Sequence, residues 1–77
     1  MITYEQRVNS MKGFNDVAEQ IRLAKAYMMR LRTAAKKEPT LALKLDAQKK
    51  VKEAESVLRR LRSNVFELED RFMVAPN

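Results

Sequence analysis

Arg32, Lys36, Lys37, Lys49, Lys50, Arg59, Arg60 and Arg62 are the side chains here whose type and density suit a chemical task, and the task is holding negative charge. Clustered guanidinium and ammonium groups neutralise phosphates or carboxylates, with affinity that is salt-sensitive and largely indifferent to sequence. Residues 22 to 62 carry 13 basic and 4 acidic side chains, whereas the segments on either side are each slightly acidic. A solvated helix surface has the same composition, so the charge is a bias before it is a site. Some of it has partners close in sequence. Asp46 with Lys50, Glu55 with Arg59 and Glu67 with Arg71 are spaced i to i+4 in the favourable order, each pair contributing about 0.2–0.5 kcal/mol. A surplus remains around residues 32 to 50.

Other chemistry is poorly supplied. The 77 residues include no histidine and no cysteine, which removes the imidazole base, the thiol nucleophile and the usual zinc ligands. One glycine is too few for a phosphate-cradling loop or a dinucleotide fingerprint. Glu67, Glu69 and Asp70 are close in sequence, but helical spacing fans them in different directions, which suits solvated surface better than a metal cage. No cofactor, no small-molecule substrate and no catalytic residue is expected. The aromatic residues Tyr4, Phe14, Tyr27, Phe66 and Phe72 do not form a base-stacking platform. No interfacial helix with a bulky apolar face is present, which argues against a membrane partner.

The elements that must position the cations are helices. Ala, Leu, Lys, Glu, Arg and Gln dominate, with two prolines. Val51, Ala54, Leu58, Leu61, Val65, Leu68 and Phe72 alternate spacings of three and four, as do Phe14, Val17, Ile21, Ala24, Met28, Leu31 and Ala35. Each is a coiled-coil seam about three heptads long. Pro39 disfavours helix at Glu38 and separates the two. The expected fold is all-α: an antiparallel two-helix hairpin with helix 1 over about 14–37, a turn at 38–40 and helix 2 over about 41–73. Either Thr40 is the N-cap of helix 2 or Pro39 its first residue. Leu41, Leu43 and Leu45 alternate like a strand, yet a lone strand would have nothing to pair with. Lys44 extrapolates onto the seam, where its stem can cover apolar surface.

Upstream, Thr3 with Gln6 matches a capping box. Tyr4, Val8 and Met11 form a stripe that loses phase at Gly13, where Asn15 and Asp16 are also turn or cap residues, and Asp16 with Glu19 offers a second capping pattern. A short helical arm over about 3–12, kinked or separate, is therefore expected. The whole makes one domain.

A two-helix hairpin leaves Leu23, Tyr27, Met29, Leu43, Leu45 and Val57 off the seam, a second apolar face suited to a protein interface. A core this small rarely supplies more than about 3–5 kcal/mol without staples or association, so a protein partner or homo-oligomer is expected. The N-terminal MITYEQRVNS lacks the basic and apolar regions of a signal peptide, which points to a soluble, cytoplasmic protein or to export without a cleavable signal. In outline, a short hairpin with a proline-bearing turn resembles needle subunits and small co-chaperones of bacterial secretion systems, and small phage-encoded helical proteins. The expected function is that of a small non-catalytic adaptor, co-chaperone or assembly subunit. The alternative is a nucleic-acid-associated accessory protein using the basic turn end, and a net charge of +6 serves either.

Overall fold

The computed structural model describes residues 1–73; the last four residues of the expected single domain, 74–77, lie outside the described residues. The described chain is all-helical: α1 (Tyr4–Asn9), α2 (Phe14–Lys36), α3 (Leu41–Ser63) and α4 (Val65–Asp70), with the principal packing between α2 and α3. The radius of gyration is 15.2 Å, against about 11.5 Å for a compact chain of this length, and the principal extents are 59 × 16 × 14 Å. It is a rod.

Local chemistry sets most helix ends. Thr3 Oγ1 accepts the Gln6 N–H at 3.1 Å while Gln6 Oε1 accepts the Thr3 N–H at 2.9 Å, so the capping box is complete. α1 stops at Ser10, whose hydroxyl donates back to the Gln6 carbonyl at 2.9 Å. Gly13 then caps α2 in extended geometry (φ −157°, ψ 171°), with no side-chain hydrogen bond. The second capping pattern is not used for the start of α2. Asp16 lies inside the helix and its carboxylate reaches back to accept the Lys12 N–H at 2.8 Å, closing the turn.

At the corner, Thr40 Oγ1 accepts the Leu43 N–H at 3.2 Å, which makes Thr40 rather than Pro39 the boundary residue of α3. The helix expected to run from 41 to 73 is interrupted at Asn64 (φ −104°, ψ 12°) and ends at Asp70. Backbone bonds from Asn64 N–H to the Arg60 carbonyl (3.0 Å) and from Leu68 N–H to the Asn64 carbonyl (2.9 Å) carry the seam across the interruption in phase. The end then tightens, with Phe72 and Met73 bonding three residues back.

The core is the pair of seams. Val17, Ala24, Met28 and Ala35 of α2 are buried with Val51, Ala54, Leu58 and Leu61 of α3, Leu68 of α4 and Met11. Phe14 departs from its seam and is 45% exposed. Helical side chains lean toward the N-terminus, so a residue at the first position projects past the end of the helix and Val17 takes the first buried layer. Lys44 is exposed and lies beside the buried seam residues Ala35 and Val51.

Candidate functional site

The site is shaped by where α1 goes. Its six residues lie against both α2 and α3. Tyr4 and Val8 pack on the core cluster. Tyr4 Oη accepts a hydrogen bond from Asn64 Nδ2 at 3.1 Å, which ties α1 to the residue where the second long helix is interrupted. The Arg60 guanidinium stacks on the Tyr4 ring, 3.9 Å from the centroid, and reaches Glu5 at 3.7 Å.

Arg7 is buried, which nothing in the apolar periodicity of α1 signals. Its guanidinium donates from Nη1 to Gln20 Oε1 at 3.1 Å and lies 5.8 Å from the Tyr27 ring centroid. Burial pushes its pKa below the ordinary guanidinium value, an effect that Tyr27 partly offsets. Tyr27 Oη in turn donates to Met1 Sδ at 3.4 Å.

These contacts define one flank of the hairpin. On α2, Gln20, Leu23 and Tyr27 sit roughly 40–100° to one side of Ala24 at 100° per residue, and on α3, Val57, Arg60 and Asn64 sit roughly 100–160° to the matching side of Leu58. The opposite flank is different in kind. There two shallow depressions share Glu55, one of about 480 Å³ flanked by Arg32, Lys36, Lys44, Gln48 and Lys52, the other of about 410 Å³ flanked by Arg59, Arg62 and Ser63. Ala35, Val51, Met28 and Leu58 form their floor and are buried. Among the described residues, six cations thus line one face with a single carboxylate, and Glu55 is bonded to Arg32 Nη2 at 2.8 Å. Glu55 pairs across the hairpin rather than with Arg59 on its own helix.

The eight expected anion-binding residues are therefore divided. Arg32, Lys36, Arg59 and Arg62 share this face, joined by Lys44 and Lys52, which the charge pattern alone did not single out. Lys49 and Lys50 line a different depression with Asp46, Glu53, Met1, Tyr27 and Leu31, where both charge signs meet. Lys37 lies beside Met29, Arg30, Thr33 and Ala34. Arg60 is committed to Tyr4 and Glu5. The basic surface is a stripe along the hairpin, with Arg59 and Arg62 well away from the corner.

The expected apolar interface also divides. Tyr27 and Val57 are half-buried against the core, and Leu23 is half-buried beside Arg7 and Gln20. Met29, Leu43 and Leu45 remain exposed near the corner, with Leu41 the most exposed of that group at 72%. The packing of α1 against both long helices accounts for the difference, because it covers positions that a two-helix hairpin leaves wet.

Among the described residues, no cluster of three or more acidic side chains is placed to hold a metal ion, and no helix is long and apolar enough to cross a membrane. Comparisons with protein-family models, curated proteins and solved structures find no match to this chain.

Proposed function

We propose that this chain is a small non-catalytic interaction protein, an antiparallel helical hairpin that docks into a larger assembly by presenting its basic face to an anionic macromolecule. One observation carries the reading: Arg32, Lys36, Lys44, Lys52, Arg59 and Arg62 line a single face against one carboxylate, Glu55. Intrachain pairing leaves five of these cations without a carboxylate partner among the described residues. Clustering like charges on one face costs self-repulsion, and an anionic partner relieves it.

The antiparallel arrangement is supported by the cross-helix pairs. Arg32, late in α2, meets Glu55 in the middle of α3, while the arm preceding α2 meets Arg60 and Asn64 at the far end of α3.

The test uses polyglutamate and polyphosphate as generic polyanions and fluorescence anisotropy as the readout. Binding should weaken at least tenfold in the Lys36→Gln, Lys44→Gln, Lys52→Gln, Arg59→Gln variant and stay within twofold in the Lys49→Gln, Lys50→Gln variant. Equal losses in both would show that general charge, not this face, is responsible.

A further inference from the structure

We infer that the anion this face takes is the sugar-phosphate backbone of a nucleic-acid duplex, a conclusion that rests on the reading of the basic face as the docking surface. Protein partners are held chiefly by apolar or aromatic anchors in desolvated pockets, with charge at the rim. The basic face offers no such anchor. Its apolar residues, Ala35, Val51, Met28 and Leu58, are already buried as the floor, and the side chains around them are six cations with Gln48, Ser63 and the Arg32-paired Glu55. A phosphate backbone needs only that cationic wall.

Geometry separates duplex from single strand. Single-strand binders stack bases on aromatic rings, and no aromatic side chain lines this face. Tyr4 and Tyr27 are occupied by Arg60 and Arg7 on the other flank. From Lys44 to Arg62 the stripe rises about 27 Å at 1.5 Å per residue, the length of roughly 8 base pairs. The rod's 16 × 14 Å cross-section exceeds the roughly 12 Å width of a major groove, so it lies along the phosphates and does not read base edges. Binding is therefore indifferent to sequence. With Arg32 shared with Glu55, about five cations neutralise phosphates, which sets a log-log salt slope near −4.5 and a loss of about 500-fold between 50 and 200 mM salt.

The full chain is titrated against two DNA duplexes of unrelated sequence, a single strand of equal length, polyglutamate, and phosphatidylserine vesicles. The expected result is equal affinity for both duplexes, at least tenfold tighter than for the single strand or polyglutamate. The slope should fall by about 2 in the Lys52→Gln, Arg59→Gln variant, with helicity by circular dichroism unchanged. Duplex binding no tighter than polyglutamate overturns the nucleic-acid assignment while leaving the basic face as the docking surface. Vesicle binding that exceeds duplex binding overturns it in favour of lipid headgroups. Failure to bind any polyanion at 50 mM salt removes both this inference and the proposed function.

Discussion

Arg7 is the residue with the least ordinary environment: a cation buried with no carboxylate against it among the described residues, held by one amide oxygen and one aromatic ring. Replacing a buried ion by an apolar side chain of similar volume is often neutral or stabilising, whereas removing its partner strands the charge. Arg7→Met is thus expected to change unfolding free energy by less than about 1 kcal/mol, and Gln20→Leu to cost about 1–3 kcal/mol, measured by urea denaturation. A Gln20→Leu variant as stable as the parent would contradict the account of Arg7. The exposed Glu19 carboxyl, which accepts two bonds from Arg22, is held below the usual carboxylate range by those bonds. A carboxylate depressed in the folded state stabilises it above the unfolded pKa and loses that effect as pH falls through the folded value. In Arg22→Gln the Glu19 carboxyl, followed by NMR, should titrate at higher pH, and acid sensitivity from this group should shrink. At this scale the sequence was readable where chemistry is local. Thr3 with Gln6 and Thr40 each bond within three residues, so a short motif contains both partners. Arg7 was not readable, because a buried cation leaves no periodic trace and its partners are 13 and 20 residues away.

Among the elements, the two long helices were legible because three heptads of alternating spacing admit one period. Their interruption at Asn64 was not, since the seam passes through it in phase and the side-chain partner of Asn64, Tyr4, is 60 residues distant. The path of α1 was likewise hidden: six residues with one stripe show that a helix packs on something without showing which groove it enters. Tyr4 holds that element, and Tyr4→Ala removes its ring from Arg60 and its hydroxyl from Asn64. The substitution is expected to cost about 1–3 kcal/mol and to speed hydrogen exchange of α1 amides above those of α2. Unchanged exchange in α1 would mean that other contacts hold the arm. Loss of the α3 cap in Thr40→Ala should cost about 1 kcal/mol. Gly13→Ser is expected to stabilise by a few tenths to about 1 kcal/mol by thermal or urea unfolding. The site is extended, an added Cβ meets nothing within 4 Å, and serine supplies the capping oxygen that glycine lacks.

For the whole molecule, a core built from 77 residues supplies about 3–5 kcal/mol, so single core losses are global events. Leu61 is fully buried, and Leu61→Ala should cost about 2–5 kcal/mol, enough to abolish cooperative unfolding at the lower end of that range. The organisation of charge was only half legible in the sequence. Counting acids and bases located the surplus in residues 22 to 62 but placed it at the corner, because a count along the chain does not know which flank of each helix another element covers. α1 takes the flank that holds Gln20, Tyr27, Val57 and Asn64, and the cations on the other flank become one surface. That division is the central claim, and lysine acetylation footprinting with mass spectrometry tests it directly, comparing the chain alone with the chain saturated by polyphosphate. The account predicts protection of Lys36, Lys44 and Lys52 with Lys49 and Lys50 still reactive; equal protection of all five lysines would contradict it.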